Sequence, residues 1–155
     1  ESVKMMSTIV MEAEANASSY GHTAVQLDEP YQDDAYTMTE AACTIAHDRN
    51  VAGITVFTVT GRTALLMSKT RPVVPVFAFT PDLSTYRQLN IFWGVTPVLV
   101  PFSSTVESMI ASVEAALLSS TTITPGQQVV VISGFPVGTA RLPNFALLHT
   151  VGEWT

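Results

Sequence analysis

The sequence is poor in cysteine, in positive charge and in long apolar runs, and each lack excludes a class of protein. Cys43 is the only cysteine, so the chain forms no internal disulfide and no cysteine-rich zinc site. Seven Lys and Arg residues stand against thirteen Asp and Glu residues, which gives a net charge of −6. This balance disfavours nonspecific binding to nucleic acid or to anionic membranes. No run approaches the roughly 20 apolar residues that a transmembrane helix needs.

The sequence does contain enough apolar side chains for one core. Its 155 residues are 47% hydrophobic, which predicts one domain that buries about two-thirds of its unfolded surface. The chain opens on Glu1 without an initiator methionine or a signal-peptide pattern, so we expect it to be a segment of a longer protein. A solitary cysteine is typical of a small buried residue in a reducing compartment. We therefore expect a cytoplasmic protein.

The first third of the chain predicts two helices joined by a linker. From Ser2 to Tyr20, apolar residues recur at three- and four-residue steps, as on one face of an amphipathic helix. Residues 21–36 are acidic and aperiodic, which favours a surface linker. Thr37 or Thr39 can cap a second helix that ends near Asn50. Its expected buried face consists of Met38, Ala42, Ile45 and Ala46.

Beyond Gly53, short β-branched and aromatic runs alternate with helical segments. The predicted strands cover residues 54–59, 76–80, 97–102, 127–133 and 145–151, and the predicted helices cover 61–69, 81–90 and 106–119. This alternation predicts a parallel sheet with right-handed crossovers. The last connection is too short for a helix, so the last strand is expected to run antiparallel at one edge. The expected fold is a three-layer α/β sandwich with a five-stranded, mostly parallel sheet.

The segment Thr-Val-Thr-Gly-Arg-Thr at residues 58–63 lies where a strand passes into a helix. Ligands of open α/β sheets bind beyond the carboxyl ends of the strands, and a helix start offers free amides to a phosphate. The candidate phosphate contacts are Thr58, Thr60, Gly61, Arg62 and Thr63. The alternative is that Thr60 only caps the helix and Arg62 is solvated. The signatures of dinucleotide-binding folds and P-loop enzymes do not occur.

No catalytic or metal-binding set stands out in the sequence. His22, His47 and His149 match no zinc spacing, which favours structural or solvated roles. Asp33 and Asp34 are interpreted as part of a solvated acidic loop. No nucleophile, base and orienting group can be assigned together. From these residues alone, we interpret the chain as a binding domain without catalytic machinery.

Six ordered motifs resemble those of the C-terminal domain of pyruvate kinase. The opening E-S-V-K-M-M-S-T-I is similar to the family's E-A-V-x-x-M-x-x-I helix, and residues 39–46 resemble its A-A-[CV]-x-[IL]-A helix. Residues 58–63 resemble the phosphate loop T-x-[ST]-G-x-[ST], and residues 68–81 resemble the [SA]-x-x-R-P-x-x-P…T segment. Residues 87–97 are similar to R-x-L-x-L-x-x-G-V-x-P. The run G-F-P-V-G with Asn144 resembles the loop before the last strand of bacterial members.

The resemblance implies that residues 1–20 are the last helix of a barrel domain and that 21–155 form a regulatory α/β domain. The active site, which transfers phosphate from phosphoenolpyruvate to ADP with Mg and K, would lie in the barrel. This domain itself would be non-catalytic and need no cofactor. It would bind a phosphorylated effector at residues 58–63 and supply one interface of a tetramer. The loop covering the effector would include Phe135, Pro136, Val137, Gly138 and Arg141.

The sequence departs from the family pattern in two places. No Lys or Arg occurs between residues 88 and 140, which leaves only Arg141 for a second phosphate. A sugar monophosphate or a nucleoside monophosphate is therefore favoured over a bisphosphate. Arg141-Leu142-Pro143 replaces the Gly-Thr-Thr of bacterial relatives, so the loop is expected to move less freely. The alternatives are a purely structural, oligomerising domain with a vestigial site and a freestanding enzyme that borrowed the fold.

Overall fold

The structure, a computed structural model, describes residues 1–16 and 34–153. In chain order its elements are α1 (Ser2–Ala15), α2 (Asp34–Asp48), β1 (Gly53–Phe57), α3 (Arg62–Thr70), β2 (Val76–Thr80), α4 (Leu83–Leu89), β3 (Val95–Leu99), α5 (Val106–Ser120), β4 (Gln128–Ser133) and β5 (Phe145–Thr150). The linker prediction is wrong for residues 34–36, which are helical, and its remainder falls outside the described residues. The sequence-predicted first helix ends at Ala15, and residues 17–20 also fall outside the described range.

The five strands form one sheet in the order β3-β2-β1-β4-β5. The pairs β1–β2, β1–β4 and β2–β3 are parallel, and β5 pairs with β4 in the antiparallel sense at one edge. The mostly parallel sheet with an antiparallel edge strand, as predicted from the alternation of patterns, is confirmed. Because β1 lies between β2 and β4, it is the central strand.

The sheet separates two apolar clusters. On one face α2, α3 and α4 pack against alternate residues of the strands, among them Ile54, Val56 and Ile132. On the other face α5 packs against the remaining residues, among them Phe79 and Val131. Every residue of β1 and β2 is buried, as a sheet covered on both faces requires. This is the three-layer arrangement that the sequence predicts.

Strand β3 begins earlier than its sequence suggests. It covers Val95–Leu99 and includes Pro97 near its centre, whereas the prediction began at the proline and ran to residue 102. Proline lacks an amide hydrogen, and within sheets it is tolerated on edge strands. Strand β3 pairs only with β2 among the described strands, so it offers Pro97 such a place.

Helix α1 keeps its apolar face uncovered among the described residues. None of its residues is buried, and Val3 is 80% exposed. Near its end, the indole nitrogen Nε1 of Trp93 donates a hydrogen bond to Glu14 Oε1 over 2.9 Å. The Arg71 guanidinium lies 4.8 Å from the centroid of the same indole ring. Trp93 thus joins α1 to the segment that follows α3.

Candidate functional site

The two loops that the sequence predicts to form the site follow neighbouring strands. The chain passes from β1 outward through β2 to β3 and then continues on the opposite side of β1, in β4. The carboxyl ends of β1 and β4 therefore flank a topological switch point, where Phe57 is paired with Ser133. Adjacent strands lie about 5 Å apart. Ligands of open α/β sheets bind at such a crevice.

The loop after β1 is held by internal hydrogen bonds. The Thr58 amide donates to Phe79 O over 2.9 Å, and the Gly61 amide donates to Thr58 Oγ1 over 3.0 Å. Gly61 has φ +79, a backbone conformation that side chains disfavour. The Gly61 amide is therefore already used within the loop. The Thr58 hydroxyl accepts this bond, and it donates to no group of the described residues.

The first turn of α3 lacks the capping that its neighbours have. Asp82 caps α4, and Thr105 caps α5 through a capping box, whereas Gly61 supplies α3 with no side-chain cap. Over residues 1–16 and 34–153, the amides of Arg62, Thr63 and Ala64 have no acceptor.

Arg62 places a positive side chain at the helix end where the macrodipole favours a negative one. Its side chain also has no ion-pair partner in the described parts of the chain. An anion at this turn would satisfy both the free amides and the charge of Arg62. Such local conflicts are expected at functional sites.

Two threonine hydroxyls at this turn also lack partners within the described ranges. Thr63 is 2% exposed, yet its Oγ1 makes no hydrogen bond there. No buried side-chain oxygen or nitrogen of the described residues is left without a partner, so this oxygen reaches the molecular surface. Thr60 is exposed. A buried threonine that presents an unpaired hydroxyl at the surface is a natural donor to an oxyanion.

Helix α4 supports the loop after β1, a role that the sequence did not reveal. Thr85 Oγ1 donates to Val59 O over 2.8 Å. The amide of Thr85 donates to Asp82 Oδ1 over 2.7 Å, and the Ser84 hydroxyl donates to the same oxygen over 2.5 Å. The Ser84 hydroxyl, followed by the Thr85 amide, lowers the pKa of Asp82. The only sequence signal for this support was the Asp-x-x-Thr spacing of an N-cap.

We expect Asp82→Ala to lower the melting temperature at neutral pH and to loosen the loop after β1. Because the folded-state pKa of Asp82 is depressed, its contribution is present above the unfolded-state pKa, near 3.9. The contribution is lost as the pH falls through the folded-state value. The gap in melting temperature between the two proteins should therefore shrink below about pH 4. A gap that stays constant down to pH 2 would contradict this assignment.

The loop after β4 is fastened by Asn144. Its Oδ1 accepts from the Phe135 amide over 2.6 Å, and its Nδ2 donates to the Phe135 carbonyl over 3.0 Å. The Thr139 hydroxyl closes the next turn onto Pro136 O over 2.6 Å. Val137 is buried in the core, while Arg141 is exposed. The loop therefore has a fixed base and an open outer surface.

Gly138 brings this loop against the connection between β3 and α5. It has φ +79, and a Cβ built on it would lie 2.6 Å from Ser103 O and 2.7 Å from Phe102 Cζ. Phe102 did not figure among the sequence-predicted site residues, because it lies outside the two loops in the sequence. Only the fold brings it to this end of the sheet.

Among the described residues, the other candidates do not assemble into a catalytic group. His149 and Glu114 form a buried pair between β5 and α5, with Nε2 and Oε2 2.8 Å apart, and His47 contacts Asp48 at the surface. Asp34 starts α2, whereas His22 and Asp33 lie outside the described residues. Within residues 1–16 and 34–153, no group of three His, Cys, Asp or Glu could hold a metal ion.

Cys43 lies partly buried between α2 and α3. Its Sγ is 3.2 Å from Thr70 Oγ1, and burial raises the pKa of the thiol. A raised pKa leaves little reactive thiolate at neutral pH, in keeping with the packing role expected from the sequence. In the described part of the chain, no helix is long and apolar enough to cross a membrane.

Fold and site together define an α/β domain with a five-stranded, mostly parallel sheet and with polar donors at the switch point of that sheet. A family model described as "Pyruvate kinase, alpha/beta domain" matches residues 36–149, and the chain belongs to this family as a pyruvate kinase C-terminal domain. It is 34% identical over 148 residues to a pyruvate kinase of Agrobacterium vitis and 32% identical over 155 residues to one of Lactococcus lactis. These alignments cover 93% and 97% of this chain but 30% of each relative. The chain therefore spans under a third of the length of these relatives.

Proposed function

We propose that this domain binds a phosphorylated metabolite at the start of α3 and that occupancy regulates a larger pyruvate kinase. The observation that carries this proposal concerns the hydroxyl of Thr63. Thr63 is buried, yet its hydroxyl has no partner among the described residues and reaches the surface, at the same turn as three free amides. The proposed phosphate-binding site consists of Thr58, Thr60, Gly61, Arg62 and Thr63. The loop from Phe135 to Arg141 would cover the bound ligand. An effector acts only through different affinities for two states of the protein.

The remainder of the proposal concerns the whole protein. The relatives are named pyruvate kinases, which supports a cytoplasmic enzyme that transfers phosphate from phosphoenolpyruvate to ADP with Mg and K. In that enzyme α1 is the last helix of the barrel domain, the present domain is non-catalytic, and it contributes to a tetramer interface. The exposed apolar face of α1 supports contact with a further part of such a protein.

Removing single donors should weaken phosphate binding without unfolding the domain. Hydrogen bonds to charged groups are worth about 1.5–3 kcal/mol, so Arg62→Ala and Thr63→Val should each lower affinity roughly tenfold or more. Thr63→Val should leave the melting temperature unchanged or raised, because no partner of its hydroxyl is lost within the described residues. Titration calorimetry of the 155-residue chain with inorganic phosphate and ribose 5-phosphate measures both affinities.

Thr39→Val is the control for affinity, because it makes the same replacement at a buried threonine of α2, although the Thr39 hydroxyl donates to Ala35 O over 2.6 Å. It should leave phosphate affinity unchanged. Thr60→Val tests the exposed hydroxyl in the same way. If Arg62→Ala, Thr60→Val and Thr63→Val all leave the affinity for phosphate unchanged, the proposed site is wrong.

A structural role is the second candidate, in which the domain braces a larger assembly and the loop binds nothing. Two observations favour it: the Gly61 amide is already paired with Thr58, and α1 has an uncovered apolar face. Under this hypothesis the wild-type chain shows no heat of binding with either phosphate compound.

A further inference from the structure

We propose that Trp93 couples the start of α3 to helix α1, so that an anion bound at α3 strengthens the docking of α1 on the domain. This inference rests on the proposed function and adds to it the residues through which occupancy acts. Trp93 lies in the connection between α4 and β3, residues 90–94, and it was not among the site residues predicted from the sequence.

This connection contacts both ends of α3. Gly61 directly precedes the free amides, and a Cβ built on it would lie 3.9 Å from Phe92 Cε2. At the other end of the helix, the Ser68 hydroxyl donates to the Trp93 carbonyl over 2.8 Å. Rigid elements and packed contacts of this kind can carry coupling between distant groups. A ligand that holds the first turn of α3 therefore also restrains residues 92 and 93.

The indole of Trp93 carries the contact onward to α1. Its Nε1 donates to Glu14 Oε1 over 2.9 Å, and the Arg71 guanidinium lies 4.8 Å from the ring centroid. Arg71 is the C-cap residue of α3. The end of α3 thus holds the ring from one side, and the ring in turn holds α1. We call Glu14, Arg71 and Trp93 the Trp93 clasp.

The docking of α1 is weak, which makes it responsive. None of the residues of α1 is buried, and Trp93 is 40% exposed. Exposed hydrogen bonds and cation–π contacts contribute little stability, so the docked and released arrangements of α1 differ little in free energy. A small bias from the start of α3 then changes their populations. Because coupling is reciprocal, closing the clasp must also strengthen anion binding.

The test follows Trp93 by its own fluorescence. Trp154→Phe leaves Trp93 as the only tryptophan of the chain, and every protein compared carries this change. We expect ribose 5-phosphate to reduce the quenching of Trp93 by acrylamide, because a docked α1 covers the indole. Glu14→Ala removes the acceptor of the indole and should abolish this response. It should also weaken calorimetric binding of ribose 5-phosphate about three- to fivefold, at the lower end of the usual range for coupled sites.

Glu12→Ala is the matched control. It removes the same charge from the same exposed helix, but Glu12 lies two positions earlier and faces another direction. Loss of a negative charge by itself favours anion binding. Glu12→Ala should therefore keep the fluorescence response and bind ribose 5-phosphate at least as tightly as the reference protein. The difference between the two alanine variants isolates the Trp93 clasp.

The outcomes separate this inference from the proposed function. If ribose 5-phosphate binds but the quenching of Trp93 stays the same or increases, the coupling is refuted and the proposed function stands. The coupling is also refuted if Glu14→Ala binds ribose 5-phosphate as tightly as Glu12→Ala does. If neither ribose 5-phosphate nor inorganic phosphate binds to the chain, the proposed function fails and the inference fails with it.

Discussion

Replacing His149 with phenylalanine is expected to lower the free energy of unfolding by about 3–5 kcal/mol. His149 and Glu114 are 4% and 7% exposed, and their Nε2 and Oε2 atoms are 2.8 Å apart. Removing the imidazole leaves the Glu114 carboxyl group buried without this partner, and breaking a buried polar pair by removing one member is costly. Urea unfolding followed by circular dichroism measures the loss.

Two further variants isolate the pair as the cause. His47→Phe removes a histidine from a contact with Asp48 at the surface, and it should change stability little because exposed ion pairs contribute little. The double variant Glu114→Leu with His149→Phe should recover much of the loss, because an apolar pair can replace a buried polar one. A loss below about 1 kcal/mol for His149→Phe alone would refute the assigned role of the pair.

Gly138→Ala is expected to lift the covering loop from the connection that precedes α5. The residue has φ +79, which costs an alanine about 1–2 kcal/mol. In addition, the new Cβ would lie 2.6 Å from the backbone oxygen of Ser103, and backbone cannot rotate away as a flexible side chain can. We expect lower stability, faster hydrogen exchange at residues 135–141, and weaker binding of ribose 5-phosphate.

Gly126 provides the matched control for this substitution. It has φ +88, but a Cβ built on it has no atom within 4 Å. Gly126→Ala therefore carries the backbone cost without the steric clash. If both alanine variants lose equal stability and show the same exchange at residues 135–141, contact between Gly138 and Ser103 does not hold the loop in place.

The central part of the fold could be predicted from the sequence because its strands are buried on both faces. The run Val-Phe-Ala-Phe-Thr at 76–80 matches β2 at both ends, and the antiparallel edge strand followed from a connection too short for a helix. The bounds of strand β3 could not be predicted as well, because a proline usually marks the end of a strand in the sequence. Pro97 is tolerated inside β3 only because this strand lies at the edge of the sheet. The start of α2 was missed because Asp34 belongs to an acidic run that is typical of a loop.

The site could be predicted only in its local part. A threonine-rich turn between a strand and a helix indicates an anion-binding site, because the first amides of any helix have no partner within the helix. The contacts that fix this turn come from elsewhere: Thr85 reaches Val59, and Phe102 meets Gly138. Such pairs are set by strand order and by the path of the connections, and no spacing along the chain encodes them.

The position of Pro97 also affects how the protein behaves at high concentration. An edge strand presents unpaired backbone groups to which another chain can add, and this is a common route to fibrous aggregates. Strand β3 covers five residues and has no amide hydrogen at its centre, so an incoming strand finds an interrupted row of donors. Pro97, which hid the start of β3 in the sequence, thus protects this edge of the sheet against the addition of strands from other chains.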